Sequence, residues 1–210
     1  MKTLLLAAAA LAFAPRTVRQ DEEPAAILSV EVGGRTVQAE LGKPFEIETK
    51  AGKTTLTVRL EPYRRFDRAG VSFRYPTPFL YEADLDTPGV SIWTLEGKDA
   101  IVMVQHFKGR NDPEAVREEV ADAMTAQFGK ANVKQGEAAL AHAGGTLKGT
   151  GLEIALAGQR LSYRLFAAAS GDDTVVLALQ DSPKDDGRPS DESAALLLLL
   201  KDSLVLPKGK

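Results

Sequence analysis

The chain has 210 residues, 44% hydrophobic, 26% charged and 6% aromatic, which excludes a disordered tail, a collagen-like fibre and a disulfide-stapled miniprotein. Its 26 Lys and Arg against 29 Asp and Glu give a formal net charge of -3, which argues against a dedicated nucleic-acid binder. Cysteine is absent, so a disulfide framework, a thiol nucleophile and cysteine-ligated zinc are excluded too.

Met1-Lys2-Thr3 is a short basic start, Leu4 to Ala12 is an unbroken run of Leu and Ala, and small residues follow in an A-x-A pattern. Together these read as a secretory signal peptide over residues 1–12. The apolar run is shorter than the roughly 20 residues of a membrane span. Ala10-Leu11-Ala12 places the cut before Phe13. The competing Ala12-Phe13-Ala14 puts Pro15 just after the cut, where its ring hinders the peptidase, so cleavage after Ala12 is preferred. A buried N-terminal helix is the other reading, but the run has no polar stripe. Cleavage removes Lys2 and takes the net charge from -3 to -4. Residues 13–26 are then a polar, flexible leader. The expected location is the periplasm or the exterior, with neither a membrane span nor a lipid anchor, since a lipoprotein needs a cysteine at its cleavage site.

Residues 27–60 alternate with period two between tight turns and predict a small β-meander. Ile27 to Val32 is followed by Gly33-Gly34, a dipeptide that tolerates a two-residue hairpin. Arg35–Leu41, Phe45–Thr49 and Thr54–Leu60 are the further strands. Glu61 to Gly70 breaks the pattern and predicts a linker over 61–70. Arg64, Arg65 and Arg68 make it locally basic, and these three are the candidate binding residues of the chain. A solvated linker is the plainer reading of them.

A main domain is expected over 71–206, with a loose tail at 207–210. Val71, Phe73 and Tyr75 alternate with polar residues, and Pro76-Thr77-Pro78 ends that strand. Val90–Leu95 and Ala100–Phe107 form a hairpin around Glu96-Gly97-Lys98-Asp99. Asp112 is an N-cap and Pro113 a first helical residue, Val116, Val120, Met124 and Phe128 form a core stripe, and Gly129 stops the helix. Val133–Ala139, Thr146–Leu156, Gln159–Ala168 and Thr174–Gln180 follow as strands whose short turns force antiparallel pairing. A last helix begins near Ser190. Its five leucines, Leu196–Leu200, cover every side and predict burial over most of its surface. The fold class is α+β: an antiparallel β-sheet flanked by helices, preceded by the small meander.

No catalytic, metal or cofactor motif stands out. His106 lies in a central strand on the face of Val102 and Val104 and reads as a structural histidine. His142 sits beside a Gly144-Gly145 turn. A Ser-His-Asp triad is not excluded by counting, but no Gly-x-Ser-x-Gly elbow presents a serine. Gly144 to Thr150 has the wrong order for a phosphate loop, because Lys148 precedes Gly149. Asp84 and Asp86, Asp172-Asp173 and Asp185-Asp186 read as solvated turns and match no calcium loop. Trp93 reads as core.

The strand Val71-Ser72-Phe73-Arg74-Tyr75-Pro76-Thr77-Pro78-Phe79, the strand Ile101–Phe107, the helix from Pro113 to Phe128-Gly129, the paired strands with Gly145, Gly149 and Gly151, and the helix 190–203 occur in an order that resembles the PsbP-like α/β/α sandwich family, including its bacterial DcrB-like members. The resemblance covers roughly residues 69–206. It implies an antiparallel sheet between helices, no catalytic site, and binding to a larger partner, the theme shared by an extrinsic subunit of the photosynthetic oxygen-evolving complex, a Ran-binding nuclear import factor and envelope proteins. No functional residue of the family carries over. The expected function is therefore an exported, non-catalytic binding or assembly module with a protein partner in the envelope. A small-molecule or lipid carrier with a pocket between sheet and helix is the alternative, and a hydrolase using His106 or His142 comes third.

Overall fold

The computed structural model describes residues 21–32, 34–45, 56–156 and 158–207. The expected signal peptide with Ala12, leader residues 13–20, positions 46–49 of the expected third strand and tail residues 208–210 lie outside the described residues. One antiparallel sheet takes β1 (Ala26–Val32), β2 (Arg35–Glu40), β3 (Leu56–Arg68) and β4 (Val71–Pro76), in the order β2-β1-β3-β4. The second takes β5 (Leu80–Asp84), β6 (Val90–Glu96), β7 (Ala100–Phe107), β8 (Val133–His142), β9 (Gly145–Leu156), β10 (Gln159–Ser170) and β11 (Asp173–Asp181). Its order is β5-β6-β7-β11-β10-β9-β8. The chain leaves β7, crosses one face as helix α1 (Pro113–Phe128), starts again at the far edge as β8, and folds back by hairpins until β11 pairs with β7. Helix α2 (Asp191–Ser203) follows β11.

Both helices start where their caps predict. Asp112 accepts a hydrogen bond from the Ala115 N–H at 3.1 Å, and the Ser190 hydroxyl accepts one from the Ser193 N–H at 3.0 Å. The helices cover opposite faces of the seven-stranded sheet, as the alternation along β11 shows. Val176 and Ala178 pack with Val116, Val120 and Ala121 of α1, whereas Val175, Leu177 and Leu179 belong to the core of Leu196 and Leu200 from α2. That second core also contains Phe66 of β3 and Val71, Phe73 and Tyr75 of β4. One face is thus roofed by a helix, the other by a helix and a strand hairpin together. Antiparallel sheets with two helices are the α+β class that the sequence predicts.

Several expectations are corrected. Residues 61–70 are no linker, because Glu61–Arg68 is the second half of β3 and Ala69-Gly70 is the tight turn into β4, with both residues at positive φ. Tyr63 and Phe66 are both buried but lie on opposite faces of β3, which destroys the period-two signal there. The register between β1 and β3 jumps from Leu28↔Leu60 to Ala26↔Arg64, a bulge that accommodates Pro62. The first strands do not form a sequential meander either, because β3 pairs with β1 and then with β4. The 27–60, 61–70 and 71–206 divisions are therefore crossed by one sheet. The expected flexible leader is tied down from Asp21 onward. Leu80–Asp84, passed over in the sequence, is an edge strand. In α2, Leu196 and Leu200 are buried but Leu198 is 64% exposed, so the helix buries one face and leaves the opposite one open. Among the described residues no helix is long and apolar enough to cross a membrane.

Candidate binding site

Strand β3 splits the three candidate arginines between its two faces. Arg64, Phe66 and Arg68 lie on the inner face, opposite Tyr75, Phe73 and Val71 of β4. Arg65 lies on the outer face, opposite Arg74, and both are exposed. Only Arg64 and Arg68 are brought together in one site, and they hold the segment Asp21-Glu22-Glu23-Pro24, which continues the line of β1 antiparallel to β3.

Four donor groups converge on the Asp21 carboxylate. Arg68 is bidentate, with Nε 2.7 Å from Oδ2 and Nη2 3.2 Å from Oδ1. Tyr81 of β5 donates its hydroxyl at 3.0 Å, and Trp93 of β6 donates its indole Nε1–H at 2.9 Å, both to Oδ2. Arg68 Nη2 also donates to the Glu22 carbonyl at 3.1 Å. Four residues earlier on the same face, Arg64 pairs with the Glu23 carboxylate and reaches the Pro24 carbonyl at 3.5 Å. The side chain of Asp21 is 23% exposed and that of Arg64 19%, so the bonds form in a partly dried seam between the two sheets. Phe66 floors this seam, stacked on Phe73 at 5.0 Å and edge-on to Trp93 at 6.1 Å.

The charges respond accordingly. The Arg68 hydrogen bonds hold the Asp21 carboxyl down at about 2, against the burial that opposes them, and the Trp93 and Tyr81 donors add to the effect. Asp21 in turn raises Arg68, and Glu23 raises Arg64. Burial pushes the Tyr75 hydroxyl up to about 12, and burial together with the bond to Asp21 pushes Tyr81 higher still. Among the described residues Tyr75 Oη and Arg64 Nε are buried without a hydrogen bond of good geometry, Tyr75 approaching Arg64 only weakly, so the seam has polar capacity to spare. Such an arrangement binds and orients carboxylates. Arg64, Arg68, Tyr81 and Trp93 are all engaged, the arginines as ion-pair partners and all four as donors.

The remaining candidates are scattered. His106 Nε2 lies 2.9 Å from Asp173 Oδ2, and the Gly109 N–H donates to Oδ1 at 2.8 Å and, as the largest influence, lowers that carboxyl. Ser91 stands directly opposite His106 on β6, which lines up the residue types of a triad, but no hydrogen bond joins Ser91 to His106. Asp173 instead ties the start of β11 to His106 of β7 and to Gly109 in the turn that follows. His142 ends β8, and its Nδ1 accepts from the Gly144 N–H at 3.2 Å. Asp84 ends β5, Asp172 sits in the β10–β11 turn, and Asp186 accepts from Arg188 in a surface loop, so the carboxylate pairs stay in three separate turns. Gly149 serves sheet geometry: a Cβ there would lie 2.1 Å from the Leu165 carbonyl. A cavity beneath Leu206, lined by Leu147, Phe166, Val175 and Leu177, holds about 10 Å³, space for about one water.

Sequence reasoning reached Arg64 and Arg68 but missed Asp21, Tyr81 and Trp93 as their partners. The available signal was charge: Asp21-Glu22-Glu23 is the acidic block that complements Arg64-Arg65-Phe66-Asp67-Arg68. A comparison with protein-family models finds no match, and neither does a comparison with curated proteins.

Proposed function

We propose that this protein is an exported, non-catalytic binding or assembly module of the bacterial cell envelope, periplasmic or secreted, that meets its protein partner through the outer face of β3 and β4. The observation that carries this reading is the pair Arg65 and Arg74. They stand directly opposite each other in register, both exposed, with Asp67 as a carboxylate 3.7 Å from Arg65. Like charges directly opposite on neighbouring strands are destabilising, so an acidic surface laid over them would offset a cost that the free protein bears. Arg74 also lies 4.7 Å over the ring of Tyr63, and Arg with Tyr is the residue chemistry enriched at interface centres. The layering of helix, antiparallel sheet and helix is in keeping with the PsbP-like and DcrB-like sandwich, whose shared theme of binding larger partners supports the same reading by analogy. The carrier alternative would require more room than the cavity beneath Leu206 offers, since that cavity takes about one water.

The test is a photo-crosslinking residue at position 65 of the tagged protein in intact cells. One stoichiometric envelope protein is expected, and its adduct should disappear when Arg74→Glu is added. A scatter of adducts insensitive to Arg74→Glu would overturn the proposal. So would substrate turnover by the purified protein that His106→Ala abolishes with the fold intact.

A further inference from the structure

We infer that the seam formed by Arg64, Arg68, Tyr81 and Trp93 is a recognition site for an extended acidic peptide with carboxylates two residues apart, and that Asp21 to Glu23 fill it as an intramolecular ligand. An ion pair that merely pins a segment needs one cation, whereas here four donor groups from three strands of two sheets meet at one carboxylate. A second arginine waits four residues along the same strand for the next carboxylate but one. An extended peptide places residues i and i+2 on one side, which is how Asp21 reaches Arg68 while Glu23 reaches Arg64. The backbone carbonyls of Glu22 and Pro24 are read as well, so main-chain and side-chain recognition are combined.

A second observation points the same way. Tyr75 is fully buried at the Arg64 end of the seam, and among the described residues its hydroxyl makes no hydrogen bond of good geometry, only a weak approach to Arg64. The cis segment therefore leaves poorly used a donor that a longer or differently placed acidic side chain would engage. A buried polar group without a partner costs free energy, so a ligand that satisfies it gains over the resident segment. The occupant we assign is thus an acidic peptide of a partner, and Asp21 to Glu23 act as the strap it must displace. This stands apart from the outer face of Arg65 and Arg74, which points to solvent on the other side of β3.

The molecule carries its own reporter, because Trp93 is the only tryptophan and donates directly to the strap carboxylate. The experiment uses the full chain with Asp21→Asn and Glu23→Gln, which weakens the strap and leaves every donor in place. The probe is a synthetic peptide of the sequence Arg19 to Ala25, capped at both ends. Saturable change in Trp93 emission is expected, with binding about tenfold or more weaker in the unmodified chain, whose strap competes. Adding Arg68→Gln to the weakened chain should abolish it, and so should an Asn/Gln version of the peptide. If the double variant does not fold by circular dichroism, Glu23→Gln alone is used, with the same expected order and a smaller gap. No saturable change in a folded variant would overturn the inference, as would equal binding by the Arg68→Gln chain or by the uncharged peptide. Either failure leaves the crosslinking result at position 65 untouched, so the two proposals fall separately.

Discussion

The two faces of the seven-stranded sheet are roofed by different means. On one face α1 brings Val116, Val120 and Ala121 down on Leu152, Leu165 and Val176, an apolar contact whose backbone groups are satisfied within the helix and the sheet. On the other face α2 covers only part of the sheet, and the β3–β4 hairpin covers the rest with Phe66, Phe73 and Tyr75. A strand hairpin laid over a sheet leaves polar edges at the junction, and the strap of Asp21 to Glu23 with Arg64 and Arg68 closes that seam. The lesson is that a helix roof finishes a face, whereas a strand roof leaves a polar seam where a binding site can form.

The sharpest break of this comparison uses one residue type on both faces. Phe66→Ala removes a fully buried ring that touches both sheets, and should cost about 3–5 kcal/mol by urea denaturation. Phe128→Ala on the α1 side removes a partly exposed ring that meets Tyr163 at 6.1 Å, and about 1–2 kcal/mol is expected. Equal losses would mean that the hairpin roof carries no more of the core than the end of α1 does. Gly149→Ala comes next, at about 1–3 kcal/mol, because its Cβ would strike the Leu165 carbonyl and the Phe166 ring.

The seam itself is tested by Asp21→Asn, expected to cost about 1–2 kcal/mol at pH 7, since charge-assisted bonds to a partly exposed carboxylate are lost. The sign follows from the lowered carboxyl. Asp21 has its ordinary value of 3.8 in the unfolded chain and about 2 in the folded one, so its contribution is complete above about pH 4 and is lost as pH falls toward 2. The difference in stability between the native chain and Asp21→Asn should therefore be flat from pH 7 to about pH 4 and shrink below it. A difference that shrinks near neutrality would show that another group controls the seam.

The same contrast explains what was legible in the sequence. The α1 roof could be read because Asp112, Pro113, Val116 and Val120 obey local rules of capping and period, and α2 likewise announced its start at Ser190. The hairpin roof could not. In β3, Pro62 sits at a bulge, Tyr63 and Phe66 are buried on opposite faces, and the turn uses Ala69 at φ 52, where sequence signals favour Gly or Asn. The arginines were visible as a basic cluster, but the split of Arg64 and Arg68 from Arg65 needs the strand to be known first. Asp21, Tyr81 and Trp93 join them only through pairing across two sheets, which no window along the chain contains.

The smallest expected effect concerns the leucine run of α2, where composition misleads most. Five consecutive leucines suggest a helix buried all round, yet a helix on one face of a sheet has a solvent side whatever its sequence. Leu198 faces that side at 64% exposure, whereas Leu196 and Leu200 are buried against the β4, β7 and β8 side of the core. Leu198→Glu should therefore change stability by no more than about 0.5 kcal/mol, while Leu200→Ala should cost about 2–5 kcal/mol through the cavity it leaves. The comparison is made in one urea series with unchanged slope. If Leu198→Glu proved as damaging as Leu200→Ala, the outer side of α2 would have to be covered in solution, and an analytical ultracentrifuge would then show the native chain associating and the variant monomeric.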